Sequence, residues 1–153
     1  MRAVIQRVKR AKIEIHGRVE SQIEKGILAF VAVQKKDSST DAKKLAYRLL
    51  HFRIFPDAKG KMNLSLKDTN GSILLVPQFT LAAETNRGSR PSFSPAAEPK
   101  SAAALFDTLA EETRKDHPLV LTGRFGEDMD IFLVNDGPVT FFLETQPLIS
   151  SAT

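Results

Sequence analysis

Asn135-Asp136-Gly137-Pro138-Val139-Thr140 is the stretch on which the reading of this chain turns. Upstream of it runs Met129-Asp130-Ile131-Phe132-Leu133-Val134, and downstream Val139-Thr140-Phe141-Phe142-Leu143. Both flanks are rich in β-branched and aromatic residues, which suit a pleated surface, so two strands joined by a short Asn-Asp-Gly-Pro connection are expected. The direct reading of that connection is a hairpin turn. It has a second reading. Gly137 lacks a Cβ and admits close approach, while Pro138 has a fixed φ and no N–H to donate. An X-Pro bond is also where a cis peptide is cheap. A Gly-Pro held between strands therefore presents carbonyl oxygens rigidly, with little side-chain bulk in the way.

Moving back along the chain, Gly123–Asp128 reads as a turn and Leu119–Leu121 as a strand. A helix is expected over about Pro99–Lys115, with Ala102, Leu105, Phe106 and Leu109 inward and a proline at its start. Residues 82–98 form a long loop rich in Pro, Gly and Ser, a length that is usually functional or mobile. The turn Asp68-Thr69-Asn70-Gly71 delivers a buried strand, Ser72–Val76, into Pro77-Gln78-Phe79-Thr80-Leu81. Ser38-Ser39-Thr40-Asp41 resembles a capping box opening a helix with Ala42, Leu45, Ala46, Leu49 and Phe52 on one stripe. A brief strand, Arg53–Phe55, follows it. The unbroken apolar run Ile27–Val33 reads as a strand covered on both faces. At the start, residues 3–8 and 11–15 read as two short strands, and His16-Gly17-Arg18 as the turn into Val19–Ile23.

The fold class expected is α/β of α+β character. It has mixed, barrel-like β-sheets with two main helices covering one face, in the order β(2-3)-(αβ)2-β(2-3). A single domain over residues 1–145 and a flexible tail over 146–153 complete the reading of this 153-residue chain.

Absence of cysteine excludes disulfides and thiolate metal sites, and His16, His51 and His117 lie far apart without ligand spacing. No apolar run is long enough to span a membrane, and the start MRAVIQRVKRAK is too basic for a secretory leader. The cytoplasm is the compartment these features favour. The net charge of +4 is compatible with nucleic acid. Arg2, Arg7, Lys9, Arg10 and Lys12 form one acid-free cluster, and Arg87 with Arg90 a second, in the 86–94 loop. Both would suit a phosphate backbone, although two solvated basic faces would look the same.

Gln78-Phe79-Thr80 puts an amide and a hydroxyl at the end of a buried strand, where sites on such sheets lie. Thr80 as a nucleophile needs an adjacent base, and no His or Lys is near it in sequence. The carboxylates of Asp128, Asp130 and Asp136 lack the spacing of a calcium loop. No Walker A sequence and no GxGxxG occurs. Neither a metal nor a cofactor is expected.

The chain resembles the D-aminoacyl-tRNA deacylase family from Met1 to about Thr145. The residues that carry this are MRAVIQRV, His51–Phe55, Lys61–Ser65, Gln78–Leu81, Arg90–Phe93, Thr122–Gly126, Met129 and Asn135–Thr140, all in the family's order. The resemblance implies a homodimer that hydrolyses the ester between a D-amino acid, or glycine, and the 3′-terminal adenosine of tRNA. In such proteins the SQFTL stretch of one subunit faces the NxGPxT stretch of the other, and the Gly-Pro bond is cis, with carbonyls aimed at the substrate α-amino group. Carried over, Gln78, Phe79 and Thr80 line the ester and adenosine pocket. Gly137 and Pro138 become the partner's chiral gate, Arg7, Phe125 and Met129 support that gate, and Ala96 approaches the adenosine.

One position departs from the family. The residue before Gln78 is usually Ser, and here it is Pro77, which cannot donate a backbone hydrogen bond. A sister family acting on L-alanyl-tRNA resembles the chain at that Pro but has Ala where this chain keeps Phe79. Three functions thus stand beside one another: a D-specific deacylase, or its L-alanyl relative; a non-catalytic RNA-binding module; and a small hydrolase using Thr80 on a non-RNA ester.

Overall fold

Strand β1 (Arg2–Ile15) organises the sheet because all its apolar side chains but the half-buried Val4 are buried, yet they change phase along it. Ala3 and Ile5 are buried, then Val8, then Ala11, Ile13 and Ile15. A strict period of two would expose one of these sets, so the phase must be reset within the strand. In the computed structural model, which describes residues 1–145, bulges do this: the pairing shifts between Gln6 and Val8 and again between Val8 and Arg10. The two short strands expected at 3–8 and 11–15 are therefore one. The expected tail, 146–153, lies outside the described residues.

One edge of β1 serves two partners. Its first half pairs antiparallel with β3 (Gly26–Ala32), from Arg2↔Ala32 to Val8↔Gly26. Its second half pairs with β2 (Arg18–Ile23), reached through a turn in which His16 and Gly17 both have positive φ. A small antiparallel pair, β4 (Phe55–Pro56) and β5 (Met62–Leu64), stands apart from this sheet. Strand β6 (Ser72–Pro77) lies parallel to β3, and β7 (Val120–Thr122) parallel to β6. The order β2-β1-β3-β6-β7 then curls until its ends meet. Ser21 Oγ donates to Thr122 O at 2.8 Å, and Arg124 Nη2 donates to both carboxylate oxygens of Glu20 at 2.9 and 3.0 Å. Side chains thus close a barrel whose backbone ladder does not.

Two cores result, and they explain the unbroken apolar runs. Leu28, Leu74 and Val76 point into the barrel with Val8, Ile13 and Ile23. The alternate residues Ile27, Ala29, Ile73 and Leu75 point outward beneath the helices. Those helices are α1 (Ser39–His51) and α3 (Pro99–Asp116), which bury Leu45, Leu49, Phe106 and Leu109 on that one face. The mixed, barrel-like sheet with two main helices on one face is as expected. The Ser38–Asp41 capping box is also present, with the Asp41 carboxylate accepting from Ser38 N at 2.9 Å and Ser38 Oγ at 3.0 Å. A short helix α2 (Leu66–Thr69) precedes the turn at Asn70, which is left-handed at φ 54°. Its own Ser65–Asp68 capping box is the local signal that the turn reading passed over.

The hairpin expected at 129–143 is overturned. Asp130–Glu144 is a single strand, β8, lying antiparallel to β1 from Glu14↔Asp130 to Arg2↔Glu144. Both flanks face the same long partner, so neither folds back on the other. Asn135 stands opposite Val8 and Thr140 opposite Gln6, so Asp136–Val139 bulge against Arg7 alone.

Candidate active site

Strand β6 ends at Pro77, opposite Val31, and the N–H of Gln78 donates to Val31 O at 2.7 Å. In a parallel ladder that leaves the residue 77 nitrogen facing the β7 side. There the pairing has already stopped at Leu75↔Thr122, so Pro77 forfeits no ladder bond. Its ring instead packs beside Gly123: a Cβ built on Gly123 would lie 3.3 Å from Pro77 Cδ, 3.1 Å from Ile13 Cδ1 and 2.9 Å from Met129 Sδ. Gly123 is thus glycine for space.

Beyond Gln78 the chain winds into a 3₁₀ turn, Phe79–Ala82, anchored by the buried Ala82. The anchoring holds Phe79 outward, 56% exposed, with its ring 5.2 Å from that of Phe93 in the 82–98 loop. Gln78 Nε2 donates to Thr80 Oγ at 2.6 Å. An amide cannot take a proton from a hydroxyl, so this contact orients Thr80 without activating it as a nucleophile.

A cavity of about 480 Å³ opens beside this strand end. Five of the residues expected at the site line it: Pro77, Gln78, Phe79, Phe125 and Met129. Thr80 stands next to it through its bond to Gln78. Ala96 is not in the wall; it bridges Gln34 and donates its N–H to Phe93 O at 3.0 Å, and Ala97 takes the lining position. Sequence reading also missed Ala102, Glu127, Asp128 and Ile131. Ala102 reads as an inward helix residue, Ile131 as part of a strand and Glu127 as part of a turn, while Asp128, in the same turn, is weighed only as a metal carboxylate.

Arg7, Gly137 and Pro138 belong to a different place in the chain, the β8 bulge. Arg7 Nε meets Asp136 Oδ2 at 2.9 Å while its Nη1 donates to Ile54 O at 2.6 Å. Asn135 Nδ2 donates to Arg7 O at 2.9 Å and to Val139 O at 3.1 Å, spanning the base of the bulge. The exposed tip, Gly137-Pro138, carries a cis peptide. The expected residues therefore fall into two groups, a strand-end cavity and a braced, exposed loop, and Gly137 and Pro138 do not line the cavity.

A family model described as D-Tyr-tRNA(Tyr) deacylase matches residues 4–144, a span containing both groups. The chain belongs to this family. Among relatives, a D-aminoacyl-tRNA deacylase of Methylococcus capsulatus (strain Bath) is 52% identical over 147 residues, covering 96% of each chain. One of Pseudomonas putida (strain F1) is 54% identical over 144 residues, covering 94% of this chain and 99% of its own. A solved structure titled c-Myc DNA Unwinding Element Binding Protein superposes with a TM-score of 0.92 at 34% identity, over 95% of this chain and 99% of its own. A probable eukaryotic D-amino acid tRNA deacylase shares the fold, with a TM-score of 0.78 at 18% identity over 93% and 97% of the two chains.

In this member of the deacylase family the N-terminal basic cluster is partly spent on internal pairs. Arg2 pairs with Glu144 at 3.0 Å, Arg7 with Asp136, and Lys12 with Glu14 at 2.6 Å. Lys9 and Arg10 remain exposed, as do Arg87 and Arg90. Among the described residues, no three His, Cys, Asp or Glu side chains converge on a metal position.

Proposed function

We infer that this chain is a D-aminoacyl-tRNA deacylase, cleaving the ester that joins a D-amino acid or glycine to the 3′-terminal adenosine of tRNA. The match of residues 4–144 to the deacylase family carries this reading. The site reading rests on Gln78 and Phe79 in the wall of a cavity of about 480 Å³, large enough for an aminoacylated nucleoside terminus. Water attacks the ester carbonyl, the acyl C–O bond breaks, and the free amino acid and the ribose hydroxyl leave. Thr80 meets an amide and not a base, so catalysis is assigned to positioning and polar stabilisation of the oxyanion. Family resemblance adds assistance from the substrate's own 2′-OH. A non-catalytic RNA-binding module and a Thr80 hydrolase both fit these observations less well.

The active form we propose is a homodimer with sites shared across the interface. Gly137-Pro138 protrudes from one protomer, and the cavity beside Gln78 lacks a wall of that kind in its own chain. Exposed Phe79, Phe132 and Phe142, at 56, 48 and 55%, supply apolar surface for such a contact. The Gly137 carbonyl, braced through Arg7 and Asn135, would then refuse the L-configuration at Cα. The partner substrate, a charged tRNA, assigns the reaction to the cytoplasm. Pro77 in the cavity wall keeps an L-alanyl-tRNA specificity as the second reading.

Hydrolysis of matched D- and L-tyrosyl-tRNA, glycyl-tRNA and L-alanyl-tRNA decides among these. Cleavage of the D-tyrosyl and glycyl esters with sparing of L-tyrosyl is expected. Equal rates on D and L would sink the chiral wall, and cleavage of L-alanyl-tRNA alone would move the chain to the second reading. Retained activity in Thr80→Ala removes the hydrolase alternative.

A further inference from the structure

The outer face of α1 is unused by the site just described, and its chemistry is specific. Lys43, Lys44, Tyr47, Arg48 and His51 follow one another along two turns of the helix, opposite the buried Leu45 and Leu49. Tyr47 is 63% exposed, a large aromatic that packing has not taken in. Its ring is stacked on that of His51, 4.0 Å between centroids and 18° from parallel. His51 is itself held, because its Nδ1 lies 2.8 Å from Tyr47 O. A carbonyl can only accept, so Nδ1 carries the hydrogen and the imidazole is fixed against the helix. The tyrosine is thereby backed on one side and open on the other, a preformed platform with little ordering left to lose on stacking.

The cations beside it are available. A groove of about 550 Å³ runs along this face, lined by Lys43, Lys44, Tyr47, Arg48, Glu144 and Thr145. The carboxylate of Glu144 is taken by Arg2 at 3.0 Å, and Arg48 Nη1 donates to the Glu144 backbone oxygen at 2.9 Å. Glu112, the carboxylate that senses Lys43 from α3, is held by Lys115 at 2.6 Å. Among the described residues neither Lys43 nor Lys44 lies within ion-pair distance of an acid. An open aromatic face flanked by unpaired cations on a rigid helix suits a polyanion that also carries stacking surfaces, which a nucleic acid does and an acidic peptide does not.

We propose that the Lys43-Lys44-Tyr47-Arg48 face of α1 is a second contact surface for tRNA, holding the phosphate backbone and one unpaired base or ribose away from the hydrolytic cavity. This rests on the deacylase reading for the identity of the RNA, but its test does not require catalysis. Uncharged tRNA binding is measured across a salt titration for the wild type, for Lys43→Gln/Lys44→Gln/Tyr47→Ala, and for Lys43→Arg/Lys44→Arg. The first variant is expected to bind about tenfold more weakly, and its slope of log affinity against log salt to fall by roughly 1.5, two phosphate contacts' worth. The arginine variant keeps the charges and keeps the binding. Hydrolysis of a D-aminoacyl-adenosine, which carries none of the tRNA backbone, stays at the wild-type rate in both. Wild-type affinity and slope in the glutamine-alanine variant would overturn the proposal, as would polyglutamate displacing tRNA from this face as well as RNA does. Failure of the wild type to cleave any D-aminoacyl ester while its tRNA binding still depends on α1 would instead remove the deacylase reading and leave this surface standing.

Discussion

Arg7 is the only residue of β1 standing opposite the four-residue bulge Asp136–Val139, and its Nε pairs with Asp136 Oδ2 at 2.9 Å. The guanidinium side chain is 12% exposed and its Nη1 is also bound to Ile54 O. One side chain thus ties the bulge to β1 and to the segment between α1 and β4. Truncation in Arg7→Ala strands a carbonyl and a carboxylate together. Asp136 is 39% exposed and water will repair part of that loss, so a destabilisation of about 2 kcal/mol is expected, read from urea unfolding. Activity should fall further than stability at temperatures where the variant is fully folded, because the bulge loses its brace.

Gly137 offers a test of sharing between subunits. A Cβ added there meets nothing nearer in its own protomer than Asn135 Oδ1, at 3.6 Å, an ordinary contact. Gly137→Ala should therefore unfold at the wild-type temperature yet lose activity, since in the proposed shared site the methyl enters the partner's cavity. A Gln78 variant inactive by itself, refolded in equal amounts with inactive Gly137→Ala, should recover about a quarter of wild-type activity, because half the dimers carry one intact composite site of two. No recovery would place both groups in one subunit's site or in none.

Gly123 sets the position of two cavity walls. Gly123→Ala would bring a methyl within 2.9 Å of Met129 Sδ and 3.3 Å of Pro77 Cδ. Ile13 on the third side is fully buried, so Met129, with its flexible thioether, gives way toward the cavity. The expected outcome is a stability loss of about 1 kcal/mol and a raised KM with kcat less affected. In a double-mutant cycle Met129→Ala should offset part of the Gly123→Ala destabilisation. Simple additivity would show that the two do not touch.

Asp41 makes the fold acid-sensitive in a narrow window. Burial pushes its pKa up, but the hydrogen bonds from Ser38 N and Oγ, with the Met1 ammonium nearby, outweigh that and hold the carboxyl below its usual range. The folded state then binds fewer protons than the unfolded chain. The stabilisation is complete above the ordinary carboxylate pKa of about 4 and is lost as pH falls through the lower folded value. Asp41→Asn should be less stable than wild type at neutral pH and should lose less stability on acidification below about pH 4. Parallel urea curves at neutral pH and in this acid range check both signs, and an unchanged acid slope in the variant would assign the sensitivity to other groups.

Much of this protein was legible without coordinates because the relevant physics is local. The apolar stripes on α1 and α3, the Ser38–Asp41 box and the two-sided burial of Ile27–Val33 follow from periodicity and capping alone. Gln78 and Phe79 also lie just past the end of a buried strand, as the run Ser72–Val76 indicated. The tertiary structure decided what depends on a partner strand. A break in a two-residue alternation looks the same whether the chain turns back or bulges, and only a 14-residue β1 running past both flanks made 130–144 one strand. The same register put Arg7 against Gly137-Pro138, a proximity that residues some 130 positions apart cannot announce. Barrel closure through Ser21 and Thr122, and the crowding that demands glycine at 123, likewise come from elements brought together by folding. Sequence sets which residues can occupy a strand, cap or turn; which of them meet is set by how the barrel closes.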